Sequence, residues 1–177
     1  IDDDERISLS TLLYYLKSSH EYYLNFELPF IRKELTGALD ESDNLARLII
    51  KIYDEYALFV NDHMAYEEKN LFPYVESLLK GEVADNYDID TFSKHHDQVA
   101  VKLRELKNII LKYLPSDIRH NNQLTATLYN IYNCENWLSQ HSEIEERIFI
   151  PAIRKLEGKV KQKDVSLNIS NMLNQAA

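Results

Sequence analysis

Glycine and proline are nearly missing from this chain, with three glycines and four prolines in 177 residues. Both residues interrupt regular backbone, so their scarcity argues against a turn-rich chain and for long, unbroken helices. The one cysteine, Cys134, cannot form an internal disulfide, which suits a reducing, cytoplasmic setting. No run of about 18 uncharged apolar residues occurs, so no segment is expected to span a membrane. Basic charge is also short, with 20 Lys and Arg against 29 Asp and Glu, a net charge of −9. That balance disfavours nucleic acid and anionic membrane as partners, because both require a basic face. The N-terminus, Ile1-Asp2-Asp3-Asp4-Glu5, has no apolar core of a signal peptide and no initiator Met. It reads as the start of a piece cut from a longer protein, or processed.

What is present is helical periodicity. Four amphipathic segments are expected, and nothing reads as strand. Segment A runs from about Ser8 to Leu35, with Gly37 as its expected C-cap. Segment B runs from a cap at Ser42 or Asp43 to Lys80, followed by Gly81. Its apolar stripe is Leu45, Ile49, Ile52, Tyr56, Val60, His63, Glu67, Leu71, Tyr74 and Leu78, in steps of three and four. Segment C starts near Asp90 or Thr91 and stops before Pro115, with the stripe Phe92, His96, Val99, Leu103, Leu106 and Ile110. Segment D follows Pro115-Ser116-Asp117 and ends before Gly158, with Leu124, Leu128, Ile131, Leu138, His141, Glu145, Ile148 and Leu156 facing inward. The expected fold is all-α: an antiparallel up-down-up-down four-helix bundle over residues 1–158, with a C-terminal tail over 159–177 that has room for a short helix.

Two stretches nearly repeat one another. His63-Met64-Ala65-Tyr66-Glu67-Glu68-Lys69 leads to Leu71-Phe72-Pro73, and His141-Ser142-Glu143-Ile144-Glu145-Glu146-Arg147 leads to Phe149-Ile150-Pro151. On a helix, positions i and i+4 share a face, so each repeat turns an imidazole and a carboxylate toward the bundle axis. Burying carboxylates without partners costs several kcal/mol in practice. A pair of divalent or trivalent cations removes that cost, and mixed imidazole and carboxylate donors suit iron, manganese or zinc. Segment A adds His20, on the apolar side between Leu16 and Leu24. Segment C adds His96, which the stripe favours over His95, displaced by about 100°. His120, about six turns before His141, reads as a surface residue. A single histidine on an apolar stripe is most often a hydrogen-bonded core residue. Four helices each bringing one, two of them within a shared motif, is a different observation. Pro29, Pro73 and Pro151 are expected to kink or end their helices beyond the level of the histidines.

Ferritin-like bundles use Glu-x-x-His, and no histidine here has Glu three residues before it. The pattern instead resembles the hemerythrin-like cation-binding domain, and within it most closely the repair-of-iron-centres branch. The residues carrying that resemblance are His20 with Glu27-Leu28-Pro29, His63-x-x-x-Glu67-Glu68 with Leu71-Phe72-Pro73, His96-Asp97, and His141-x-x-x-Glu145 with Ile148-Phe149-Ile150-Pro151. The resemblance covers segments A to D. It implies two iron ions in an oxo- or hydroxo-bridged centre, held by His20, His63, His96, His141 and the bridging Glu67 and Glu145. Manganese or zinc is the alternative metal. Oxygen-carrying hemerythrins are less similar, since they add a fifth histidine four residues from the third-helix one, where this chain has Phe92 and Ala100.

Two six-coordinate metals with these donors keep about one open position each. The resemblance therefore implies a di-iron protein of the iron–sulfur cluster repair, nitric oxide and oxidative stress type. Its expected partners are O2, NO or peroxide and iron–sulfur proteins. The oligomeric state, a homodimer included, stays open. The alternatives are a module for sensing or storing O2, NO or iron, and a metal-free helical interaction domain. Tyr23, Tyr56, Tyr66 and Trp137 lie one or two turns from the donors, either tuning the site or serving as core aromatics.

Overall fold

A computed structural model describes residues 3–82, 87–93, 99–113 and 121–175, and no strand occurs among them. The helices are α1 (Asp3–Tyr22), α2 (Leu28–Ala38), α3 (Asn44–Tyr66), α4 (Phe72–Lys80), α5 (Ile89–Ser93), α6 (Val99–Tyr113), α7 (Asn122–Ile144) and α8 (Ile150–Gln175). Three of the junctions are single π-helical turns: π1 (Tyr23–Glu27), π2 (Glu67–Leu71) and π3 (Glu145–Phe149).

Local chemistry accounts for the helix ends. The Asp43 carboxylate accepts the Leu45 N–H at 3.0 Å and caps α3, as one of the two expected caps. Asn121 caps α7, its Oδ1 accepting from Gln123 and Leu124 at 3.0 and 3.2 Å. Helix α5 begins at Ile89, slightly earlier than expected, because Asp88 is its cap and accepts the Thr91 N–H at 2.8 Å. Gly81 ends α4 with φ of 84°. Its N–H reaches the Leu78 carbonyl and that of Glu82 reaches Ser77, at 2.9 and 3.0 Å, a Schellman ending.

The other two glycines do not stop helices, which corrects two expectations. Helix α2 passes Gly37 and ends at Ala38, where Leu39 turns extended. Helix α8 passes Gly158 and continues to Gln175, so segment D does not end there and most of residues 159–175 is one helix with it. Neither glycine has positive φ, and a glycine in a helical conformation weakens a helix without ending it. Beyond Gly158, Val165, Leu167 and Ile169 are all exposed.

The chain forms two compact units. One comprises Lys17–Ala65 with Asp97–Glu143. Its core is built on Ile31, Leu35, Ile49, Tyr53, Val60, Leu103, Leu106, Ile110 and Ile131, all essentially without exposure. The Tyr53 hydroxyl donates to the Leu28 carbonyl at 2.7 Å. Glu135, nearly buried, is held by Arg104 at 2.7 Å and by Lys107. The other unit comprises Ile1–Leu16, Tyr66–His96 and Ile144–Ala177. Its core holds Leu9, Leu16, Leu71, Phe72, Val75, Leu78, Ile89, Phe92, Phe149 and Ile153. Here a Glu157 carboxylate oxygen accepts the Ile89 N–H at 3.1 Å and Arg154 meets Asp90 at 2.8 Å, tying α8 to α5.

The π-turns account for a further correction. Ile148, expected on the inward stripe, is 51% exposed, and Phe149 is fully buried in its place. One extra residue in the turn moves the inward face by one position.

Candidate metal centre

The three π-turns share one construction. The N–H of Leu28 bonds the Tyr23 carbonyl, that of Phe72 the Glu67 carbonyl, and that of Ile150 the Glu145 carbonyl. Each donor is the residue before a proline: Pro29, Pro73 or Pro151. A proline ring in a helix presses on the carbonyl four residues back and supplies no N–H. A turn widened by one residue relieves that pressure and lets the helix continue. The prolines were expected to kink or end their helices. They sit instead just past a wide turn, and in two cases that turn opens on an acidic residue of the repeat.

Those two acids, Glu67 and Glu145, are fully buried. His20, near the end of α1, is fully buried, and His141 on α7 is 3% exposed. One donor atom from each of His20, Glu67, His141 and Glu145 lies within 4.8 Å of the others. The structure thus brings together four of the six residues expected at the site. His63 is half-buried on α3 and is not part of this group. His96 lies outside the described residues, as do His95 and His120, so the choice between His95 and His96 is not addressed by the structure.

The imidazoles are held in place. The rings of His20 and His141 lie 5.3 Å apart, and Tyr23 packs edge-on against His141 at 6.2 Å. Ser19 Oγ lies 3.1 Å from His141 Nδ1. With a cation on Nε2, Nδ1 carries the proton and donates it to the Ser19 hydroxyl, which orients the ring. Nothing in the sequence pattern singles out Ser19, because its partner is 122 residues away.

The donor set fits a cation. Two buried carboxylates this close repel one another, and a positive ion between them converts the repulsion into binding. Two imidazoles and two carboxylates are the mixed nitrogen and oxygen donors that transition metals accept. Cys134 is the other metal-binding residue type nearby in sequence. It is fully buried, and burial, followed by the Glu27 charge, pushes its thiol well above the usual range. It is therefore a neutral core residue and a poor ligand.

Of the four aromatics expected near the donors, Tyr23 and Tyr56 are buried, Tyr66 is half-buried, and Trp137 is 46% exposed. Trp137 is not a core aromatic: it packs against Tyr22 at 5.8 Å. The Tyr22 hydroxyl donates to Glu27 at 2.9 Å. Burial, then the hydrogen bond and charge of Glu27, push the Tyr22 phenol up to about 12. In the sequence Glu27 stands out only as part of a motif, and the structure gives it this partner.

No helix among the described residues is long and apolar enough to cross a membrane. No curated protein and no solved structure matches the chain. A family model described as the hemerythrin HHE cation-binding domain matches residues 11–153. That span takes in all four members of the buried His and Glu group, together with both near-repeats. Since it also covers most of the chain, the protein belongs to the hemerythrin HHE cation-binding domain family.

Proposed function

We propose that this chain is a non-heme di-iron protein of the iron–sulfur cluster repair and nitric oxide or oxidative stress type. Its carboxylate-bridged centre binds or reacts with NO, O2 or peroxide. The ligands in this reading are His20, His63, Glu67, His96, His141 and Glu145, on the axis of an antiparallel four-helix bundle. The observation that carries it is the buried group of two imidazoles and two carboxylates, with donor atoms within 4.8 Å. Bound there, iron supplies redox chemistry and an open position for a small diatomic ligand or an oxidant. The protein supplies the rest. Ser19 orients the His141 ring, the π-turns position the two acids, and burial keeps bulk water away from them.

Loading with ferrous iron under anaerobic conditions, followed by metal analysis and absorption spectra with azide and NO, tests the proposal. Stoichiometric uptake of two irons and a new band with NO are expected. Substoichiometric iron, with zinc or manganese taken up in its place, overturns the di-iron assignment. Restored activity in a nitric oxide-damaged iron–sulfur enzyme is the expected repair readout. NO binding without that restoration leaves the protein a sensing or storage module for O2, NO or iron.

A further inference from the structure

A line of oxidisable rings leads from the buried imidazoles to the surface. Tyr23 packs on His141 at 6.2 Å, Tyr22 on Tyr23 at 5.8 Å, and Trp137 on Tyr22 at 5.8 Å, measured between ring centroids. Tyr23 is buried, Tyr22 is 37% exposed and Trp137 46% exposed. The line therefore starts against a candidate metal donor and ends in solvent. Phe26 and Phe30 extend the aromatic cluster, stacked on one another at 6.0 Å, but phenylalanine is too hard to oxidise to carry charge further. Edge-to-face and offset ring pairs add stability wherever they occur, so packing alone does not require this order. The order of burial, and the carboxylate on the Tyr22 hydroxyl, suit a route for electrons.

We propose that Tyr23, Tyr22 and Trp137 form a redox chain that feeds single electrons from the protein surface to an oxidised metal centre. The inference rests on the di-iron reading above. Its oxidant is hydrogen peroxide, which takes two electrons and two protons to become two waters. Each passage along the chain delivers one of those electrons. Tyr22 gives up an electron, which tunnels across the packed Tyr23 ring while the Tyr23 phenol keeps its proton, and the Tyr22 phenolic proton passes to the Glu27 oxygen 2.9 Å away. Trp137 then reduces the Tyr22 radical, and Glu27 returns the proton. Oxidised Trp137 loses its indole proton to water and is restored by a soluble one-electron reductant such as ascorbate or a thiol. The chain thus keeps oxidising equivalents off the metal ligands and sends them to an exposed residue.

The test compares iron-loaded and metal-free protein, each given excess hydrogen peroxide without reductant. Peptides covering Trp137 are then examined by mass spectrometry, and freeze-quenched samples by electron paramagnetic resonance. The loaded protein should show severalfold more oxygenated Trp137 than the metal-free protein, and ascorbate should suppress it. Tyr22→Phe should bring Trp137 oxidation down to the metal-free level at unchanged iron content. Trp137→Phe should leave a longer-lived radical with a tyrosine signature, a readout that does not depend on the Tyr22 variant folding. Equal Trp137 oxidation in loaded and metal-free protein, or in loaded wild type and loaded Tyr22→Phe, overturns the chain. Full iron without any organic radical sinks the chain alone, whereas failure to load iron sinks the di-iron reading and the chain with it.

Discussion

At the scale of single residues, Glu67 and Glu145 have opposite effects with and without a cation. Buried close together they repel one another as like charges, while a bound cation turns the same charges into affinity. Glu145→Gln should therefore lower the metal content and shrink the stability gained on adding metal. Denaturant unfolding with and without chelator, set beside metal analysis, checks both; unchanged metal content in the variant would show that the carboxylate is not a ligand. Glu135 gives a separate pH dependence. Burial alone would raise its carboxyl, but Lys107 and Arg104 outweigh burial and hold it below its ordinary value. A lowered folded value means the contribution is present above the unfolded value, near pH 4.3, and is lost as pH falls through the folded one. The unfolding midpoint of Glu135→Gln should therefore depend less steeply on pH below about 4 than that of the wild type.

At the scale of elements, the π-turns are a single device used three times among the described residues. Each widens the helix by one residue just before a proline, and two of them begin at a buried acid. Deleting Arg147, an exposed residue inside π3, removes the extra residue and forces the turn back to α-helical spacing, where the Pro151 ring again presses on the preceding turn. Metal uptake should be lost and the melting temperature should fall by several degrees; full loading at an unchanged melting temperature would show the wide turn to be incidental. The through-running helix makes another prediction. A Cβ on Gly158 meets nothing within 4 Å, and the residue lies inside α8, so Gly158→Ala should stabilise by about 0.5–1 kcal/mol. Gly81→Ala should destabilise instead, because its φ of 84° is strained for a residue with a side chain. Thermal melts of the two variants should move in opposite directions.

At the scale of the whole molecule, the helical class and the buried grouping of His20, Glu67, His141 and Glu145 are legible in the sequence. Spacing of three and four puts His20, Glu67, His141 and Glu145 on inward faces, and burial follows from that spacing alone. The stripe fails at Ile148 because a period of 3.6 has no place for an extra residue, and the proline that forces one reads in sequence as a kink. Gly37 and Gly158 read as stops because glycine in the middle of a helix is a weak signal in either direction. Ser19 is out of reach, since only tertiary packing places it against His141. A cation that binds the folded chain and not the unfolded one should stabilise it by about 2.7 kcal/mol at a hundredfold excess over its Kd. Melting with and without chelator reads that shift.

The burial of Cys134 has a practical consequence. As the sole thiol in the chain, lying fully inside a core, it can meet a thiol-specific reagent only when that core opens. Its labelling rate is therefore a clock for opening events, needing no engineered probe. If the imidazoles of the same unit are gripped by a cation, the clock should slow as free metal rises.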